Sequence, residues 1–239
     1  MTDFSRDGGD ERGLRELIVE IGRLLHHNQM VDGVAGNISA RLDGERILMT
    51  PSGLAKGFMD PDEMIVVDMA GEKTGPQTPR ARDLRPTSEV LMHLEAYRQR
   101  PDIGGVVHAH PPAAVALSIA NIPLERYPIP EQIIHLGIVP TTPYALPASA
   151  EMQESISEVV RHHNAMILRN HGVLVLGSDP WEAYLMTETV ERTAQVILMV
   201  EQLGGGEPLP PDEVDRLLEL RRQMGKSLPG EEERLQAKS

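Results

Sequence analysis

Short apolar segments alternate with amphipathic segments along nearly the whole chain of 239 residues. Residues 14–29 carry leucine and isoleucine at helical spacing and predict an amphipathic helix. Segments 38–42 and 46–50, on either side of Asp43-Gly44, predict a β-hairpin. The other predicted strands are 64–69, 103–110, 138–143 and 165–176, and the other predicted helices are 86–97, 111–120, 150–163, 181–203 and 212–224. This alternation, without an internal repeat, predicts one α/β domain.

Composition excludes several classes of site. The chain has no cysteine, which excludes disulfide scaffolds, thiolate nucleophiles, iron–sulfur clusters and cysteine-based zinc sites. Any metal must therefore be held by histidine and carboxylate groups. The formal charge is −13 and aromatic residues make up 3% of the chain, so we expect no nucleic-acid or anionic-membrane partner. The polar N-terminus has no signal-peptide core, and no segment reaches the ~20 apolar residues that span a bilayer; a cytoplasmic protein is expected.

Two histidines lie at the end of the predicted strand 103–110. His108 and His110 are two residues apart in the segment Val106-Val107-His108-Ala109-His110, and alternate residues of a strand point to the same face. Two imidazoles held together in this way favour a divalent transition metal between them. The alternative is an ordinary pair of histidines at a strand end, one of them exposed.

A third histidine lies where two apolar strands meet. His171 is followed by Gly172, which permits a tight backbone path. Alone, His171 would be interpreted as a structural turn residue. Together with His108 and His110 it supplies the three nitrogens of an open catalytic zinc site.

Glu89 is predicted to lie in the first turn of a helix. A carboxylate there stabilises the positive end of the helix dipole, so helix capping is one interpretation. The other is a general acid or base directed at a metal-bound substrate. His93 lies four residues further on the same helical face, where packing or a supporting role is favoured over a role as a ligand.

Two small-residue loops are candidate anion sites. They are Gly33 to Asn37 and Thr50-Pro51-Ser52-Gly53, and Thr87 with Ser88 adds hydroxyls at a predicted helix start. These segments offer amides and hydroxyls without positive charge. Each alone is also typical of common turn chemistry.

The order of these motifs resembles the class II aldolase/adducin superfamily, over the first helix to about residue 203. The matching segments are GNISAR (36–41), TPSG (50–53), PTSE (86–89), RPDIGGVVHAHPP (100–112) and NHGVLVLG (170–177). The resemblance implies a three-layer α/β/α fold, with a central, mainly antiparallel β-sheet flanked by helices, over residues 13–225. Residues 1–12 would form a flexible N-terminus and 226–239 a charged tail.

Within the superfamily the chain looks most like the fuculose-phosphate and deoxypentulose-phosphate aldolases. That resemblance implies Zn²⁺, or Mn²⁺ or another divalent ion, on His108, His110 and His171, with Glu89 as acid/base and further metal ligand. It assigns the substrate phosphate to Gly36, Asn37, Ser52, Gly53, Thr87 and Ser88 and makes Tyr127 a proton donor. The expected reaction cleaves a ketose 1-phosphate, in a homotetramer, to dihydroxyacetone phosphate and a short aldehyde through a zinc-stabilised enediolate.

Some positions depart from the aldolase pattern. Val34 replaces a threonine of the first loop, and Met224 stands before Gly225 where the fuculose enzymes carry tyrosine. Glu89 and Ser88 differ from the aspartate of related 4-epimerases and from the lysine of related decarboxylases. The alternatives are a related decarboxylase, dehydratase or 4-epimerase acting on a phosphorylated sugar or sugar acid. A non-catalytic, adducin-like interaction domain is a remote further alternative.

Overall fold

A seven-stranded sheet forms the centre of the molecule in the computed structural model, which describes residues 10–228. Residues 1–9 of the predicted flexible N-terminus and 229–239 of the predicted charged tail lie outside the described residues, whereas residues 10–12 cap and begin the first helix. The strands are β1 Asn37–Arg41, β2 Arg46–Met49, β3 Ile65–Asp68, β4 Gly105–Ala109, β5 Thr141–Thr142, β6 Ala165–Leu168 and β7 Gly172–Gly177. Their order is β3-β2-β1-β4-β7-β6-β5. Neighbours are antiparallel except β5 and β6, which are parallel, so the mainly antiparallel sheet is confirmed.

Seven α-helices surround this sheet within residues 10–228. They are α1 Glu11–His27, α2 Val90–Gln99, α3 Pro112–Ala120, α4 Pro130–His135, α5 Ala150–Ser157, α6 Pro180–Gln202 and α7 Pro211–Gln223. Local sequence explains several of the starts. Asp10 accepts a hydrogen bond from the amide of Gly13 and begins α1, and Asp179 does the same for α6 through Glu182. Proline at the first position suits the remaining long helix, α7, because its missing N–H would have no helical partner there.

The sheet separates two apolar cores. One core joins it to α1, α3 and α6, and the other joins it to α2 and α5. Adjacent strand residues divide between the cores: Val107 belongs to the first and Val106 to the second. A sheet covered by helices on both faces is the expected three-layer α/β/α fold. Each fully buried aliphatic side chain contributes about 1.5–3 kcal/mol.

Two predicted elements have other bounds in the structure, and one helix was not predicted. Segment 138–143 forms only the two-residue strand β5, because Pro140 and Pro143 flank it and proline has no N–H for a sheet hydrogen bond. Helix α4 was not predicted, since six residues are too few to display a helical period. The predicted helix 150–163 ends at Ser157 and continues as a 3-10 turn, Val159–Arg161. None of the helices in the described part of the chain is both long and apolar enough to cross a membrane.

Candidate active site

Strand β4 positions the first histidine at the middle of the sheet. His108 pairs with Asn37 of β1 on one side and with Leu174 of β7 on the other. It is two residues from Val106 along the strand, so its side chain lies on the same face of the sheet, the one covered by α2, and it is fully buried there. Its Nδ1 lies 2.9 Å from the carbonyl oxygen of Val173. Since that carbonyl can only accept, Nδ1 carries a proton, and Nε2 is the ring nitrogen that faces the rest of the site.

The other two histidines meet His108 from loops. His110 follows the end of β4, and its amide donates to Met30 O over 2.8 Å. Its Nε2 lies 2.9 Å from the Nε2 of His108. His171 lies in the short turn between β6 and β7, and its ring centroid is 4.8 Å from that of His108 and 5.0 Å from that of His110. One ring nitrogen from each histidine lies within 4.8 Å of the other two, so the structure brings the three predicted ligands together.

Gly172 makes this close approach possible. A Cβ at that position would lie 2.3 Å from Ala109 O and 2.8 Å from Cδ2 of His110. Neither distance is tolerated, so the residue after His171 must be glycine. Asn170 completes the turn in the left-handed region, with φ 57°, which asparagine adopts more readily than most residues. The backbone N–H of Asn170 donates to Ser118 Oγ over 3.0 Å.

Glu89 faces the histidines instead of capping its helix. It is the residue before α2, and its side chain makes no capping hydrogen bond. The carboxylate is buried, with Oε2 at 3.1 Å from His108 Nε2 and Oε1 at 3.5 Å from His171 Nε2. Within residues 10–228, Oε1 has no hydrogen-bond partner. The structure thus favours the interpretation of Glu89 as a site residue over the helix-capping one.

The electrostatics keep the carboxylate charged and two of the imidazoles neutral. Burial alone would raise the pKa of Glu89, but contact with His108 and hydrogen bonds from His108 and Asn37 hold it far below its usual value. Burial, followed by repulsion from His108, lowers the pKa of His110 to about 3 and that of His171 to about 4. Neutral imidazoles keep the lone pairs that a cation requires.

A series of buried, hydrogen-bonded polar side chains leads away from Glu89. Oε2 of Glu89 accepts from Asn37 Nδ2 over 2.9 Å, and Asn37 Oδ1 lies 2.5 Å from His93 Nε2. On the other side of the ring, His93 Nδ1 lies 2.7 Å from Ser39 Oγ, which lies 3.0 Å from the hydroxyl of Tyr97. Burial lowers the pKa of His93 to about 3, so the ring is neutral. The proton must sit on Nε2, because Asn37 Oδ1 can only accept.

Two members of that series, Ser39 and Tyr97, were not predicted from the sequence. Ser39 shares a strand face with Asn37 by period two, and Tyr97 shares a helix face with His93 by a spacing of four. Those spacings were visible in the sequence. What was not visible is that β1 and α2 face each other across the site.

Two of the predicted phosphate-binding segments, 50–53 and the one that contains Thr87 and Ser88, lie side by side. The amide of Ser52 donates to Arg85 O over 2.9 Å, next to a bridge between Pro51 and Pro86. Thr87 is buried and accepts from the amide of Glu89 over 3.3 Å. By contrast, Ser52, Gly53 and Ser88 are exposed. Gly36 and Gly53 have φ of 74° and 78°, a left-handed conformation that suits loops presenting backbone amides.

Tyr127 and Met224 are the two remaining positions that the resemblance singles out. The hydroxyl of Tyr127 accepts from the amide of Gly206 over 3.3 Å. Among the described residues, no hydrogen bond or ring contact joins Tyr127 to the histidine cluster. Met224 ends α7 and is about half exposed. The role predicted for Tyr127 stays a prediction.

The donor set fits a divalent metal ion. Two imidazole nitrogens at 2.9 Å repel each other unless a proton or a cation lies between them. His108 directs its Nδ1 proton to a backbone carbonyl, as metal-binding histidines usually do, and Nε2 is then the nitrogen that would bind the ion. Three imidazoles and one carboxylate with a free oxygen are the donors of catalytic zinc sites.

Comparisons with known proteins find matches over most of the chain. The family model for the class II aldolase and adducin N-terminal domain matches residues 16–198. The 3-oxo-tetronate 4-phosphate decarboxylase of Haemophilus influenzae is 32% identical over 206 residues, covering 84% of this chain and 90% of that protein. The L-fuculose phosphate aldolase of Methanococcus maripaludis is 34% identical over 185 residues, covering 77% and 96%. The crystal structure of YgbL from Klebsiella pneumoniae superposes with a TM-score of 0.78 at 32% identity, covering 88% and 100%.

Proposed function

The chain belongs to the class II aldolase and adducin N-terminal domain family, and from that premise we propose that it is a metal-dependent aldolase. Its substrate would be a ketose 1-phosphate, cleaved between C3 and C4 to dihydroxyacetone phosphate and a short aldehyde. The observation that carries the proposal is the buried Glu89 carboxylate, 3.1 Å from His108 Nε2 and with Oε1 free of hydrogen bonds within the described chain. A non-catalytic domain has no use for such a costly group.

We assign the metal to His108, His110 and His171, with Glu89 as a further ligand before substrate binds. A divalent ion held there, Zn²⁺ or Mn²⁺, would supply Lewis acidity to the carbonyl and hydroxyl oxygens of the substrate. The protein holds the ring of His108 in place through the hydrogen bond from Nδ1 to Val173 O. Gly172 leaves room for the other two rings.

Glu89 is the proposed general acid/base. In the cleavage direction it would return a proton to C3, the carbon that loses its bond to C4. In condensation it would remove that proton again. Asn37 holds one carboxylate oxygen through a 2.9 Å hydrogen bond, which leaves the other oxygen for this transfer.

Phosphate binding is proposed for Gly36, Asn37, Ser52, Gly53, Thr87 and Ser88. The adjacency of the loops at Pro51 and Pro86 supports this, since amides and hydroxyls from both could surround one anion. Tyr127 remains the predicted proton donor at the aldehyde oxygen. The homotetramer, the cytoplasmic location and the boundaries of the domain at 13 and 225 also remain predictions.

Decarboxylation of a phosphorylated 3-oxo acid is the second candidate. It is favoured by the relative from Haemophilus influenzae, which has similar identity to this chain and covers more of it than the aldolase does, 84% against 77%. Both reactions break a carbon–carbon bond and leave negative charge next to a carbonyl. They differ in whether carbon dioxide or an aldehyde leaves. Ser88 favours the aldolase, because the related decarboxylases are expected to carry lysine at the position of Ser88.

The deciding experiment starts from protein stripped with a chelator and reloaded with Zn²⁺ or Mn²⁺. Dihydroxyacetone phosphate is incubated with a panel of short aldehydes, 3-oxo-tetronate 4-phosphate is supplied separately, and products are identified by mass spectrometry. Aldol products that disappear with chelator support the proposal. Release of carbon dioxide without aldol products supports the second candidate.

The metal site is tested without turnover. Elemental analysis of the dialysed protein should find one divalent metal ion per chain, and His108→Ala should lose both the ion and the activity. A chain without stoichiometric metal, and inactive in every assay, would overturn both candidate functions and favour an interaction domain.

A further inference from the structure

Lys56 is a buried lysine between the two loops of the predicted phosphate site. It is 2% exposed and begins a 3-10 turn shortly after the loop of residues 50–53. Its Nζ donates to Val34 O over 3.0 Å and to Leu54 O over 2.6 Å. Val34 belongs to the first glycine-containing loop and Leu54 directly follows the second. One ammonium group therefore joins both loops.

The two loops bring no cationic side chain of their own. Their sequences are GVAGN (33–37) and TPSG (50–53), which predict a neutral phosphate site. The structure adds a cation to it that no sequence motif indicated. An ammonium has three N–H groups, and two of those on Lys56 are engaged with backbone carbonyls. Over residues 10–228 no acceptor is found for the third.

Burial of this ammonium is unfavourable in the absence of an anion. Loss of hydration lowers the pKa of Lys56 to about 8, and no carboxylate forms an ion pair with it in the described part of the chain. A phosphate monoester would supply the missing negative charge and accept the remaining hydrogen bond.

The lysine cannot easily move away from the loops. Helix α1 packs directly on its peptide group: a Cβ on Gly22 would lie 2.4 Å from Lys56 O. A Cβ on Gly57 would lie 2.6 Å from the ring of His26, also on α1. Both glycines permit contacts that fix the backbone of Lys56 against the first helix. The ammonium is thus held on a rigid base.

We propose that Lys56 is a positioning residue that sets the spacing of the two phosphate-binding loops and supplies the positive charge that they lack. The ligand class is a phosphate monoester, and inorganic phosphate is its simplest probe. The inference rests on the proposed function only in its choice of a phosphorylated substrate.

Lys56→Met and Lys56→Arg test the proposal, the first removing the charge and the second keeping it. Lys73→Met is the matched control, because Lys73 Nζ also donates to two carbonyls, Ala81 O and Arg82 O, in a loop without predicted site residues. Binding of inorganic phosphate to the metal-loaded protein is measured by calorimetry. We expect a dissociation constant about tenfold or more higher for Lys56→Met, a smaller change for Lys56→Arg and no change for the control.

Kinetics separate positioning from a merely structural role. With a phosphorylated ketose, Lys56→Met should raise KM and leave kcat within about threefold, whereas general loosening of the fold would lower kcat and melting temperature together. With the unphosphorylated ketose, kcat/KM should not change. Unchanged phosphate affinity in folded Lys56→Met overturns the proposal, even if the aldolase activity stands.

The converse outcome is also distinguishable. If no ketose phosphate is cleaved but Lys56→Met still weakens the binding of inorganic phosphate, the proposed function fails and the inference about Lys56 stands. If Lys56→Met does not fold, NMR titration of Lys56 in the wild-type protein decides, because bound phosphate should raise the pKa of its ammonium. No rise on saturation with phosphate would overturn the proposal.

Discussion

His93 Nε2 lies 2.5 Å from Oδ1 of Asn37, and Asn37 Nδ2 lies 2.9 Å from Oε2 of Glu89. An ionised carboxylate can only accept, so Nδ2 faces Glu89, Oδ1 faces the ring, and the neutral His93 donates to Oδ1 from Nε2. The amide therefore donates to the carboxylate and keeps it an acceptor. The ionised carboxylate of Glu89 thus sets the tautomer of His93 through Asn37.

Asn37→Asp should impair turnover, because it replaces that donor by a second carboxylate. Two carboxylates at 2.9 Å cannot both remain ionised, so one of them takes up a proton and the acid/base chemistry is disturbed. We expect kcat to fall by about 10²-fold or more, with metal content unchanged. Asn121→Asp is the control: Asn121 Oδ1 accepts from Arg169, so a carboxylate is tolerated. Wild-type kcat in Asn37→Asp would contradict the assigned orientation.

Glu89→Gln should retain the metal and lose the reaction. The three histidines remain, and glutamine preserves the shape of the side chain, but it cannot accept or return a proton. The expected loss in kcat is about two to four orders of magnitude, measured beside elemental analysis of the same sample. Glu95→Gln is a matched control on α2, since Glu95 is also buried but bonds to Ser157, Gln99 and Gln153. Full activity of Glu89→Gln would remove this carboxylate from the mechanism.

The sequence predicted those parts of the site that depend on local periodicity. His108 and His110 share a face because a strand has period two, and the structure brings both to the α2 side of β4 with their Nε2 atoms 2.9 Å apart. Gly172 predicted a tight backbone path beside His171, and the structure has a three-residue turn there, 169–171, between β6 and β7. Most helix and strand positions followed from the same kind of pattern.

Contacts between distant segments were not predictable in this way. The pairing of Asn37 with His108 depends on which strands are neighbours in the sheet, and strand pairing is not set by either strand alone. Glu89 had two interpretations, since the same position before α2 allows capping or an inward side chain. Lys56 carries no sequence signal at all, because its partners are two backbone carbonyls.

Gly172→Ala should disrupt the histidine cluster. The new methyl group would meet Ala109 O at 2.3 Å and the ring of His110 at 2.8 Å, and the backbone oxygen cannot move without distorting β4. We expect a free energy of unfolding lower by about 1–3 kcal/mol and a metal content well below one per chain. Denaturant unfolding and elemental analysis measure the two effects.

Gly44→Ala provides the comparison for that variant. Gly44 lies in the turn between β1 and β2, where an added Cβ meets nothing within 4 Å. Its stability and metal content should match those of the wild type. If Gly172→Ala behaves like Gly44→Ala, the packing around the histidines is looser than these distances require.

Lys56 should also give the stability of the folded chain a measurable pH dependence. Its pKa is lowered by burial from 10.5 to about 8, so between those values the unfolded chain binds more protons than the folded one. The free energy of unfolding therefore gains a contribution that rises with pH, by at most about 1.4 kcal/mol per pH unit. Below pH 8 both states are protonated and the full cost of the buried ammonium is present.

Lys56→Met removes this contribution, so the stability difference, wild type minus variant, should increase from pH 7.5 to 9.5 in urea unfolding. Lys73→Met should follow the wild type in parallel, and a constant wild type minus Lys56→Met difference would show that Lys56 is not buried as a cation.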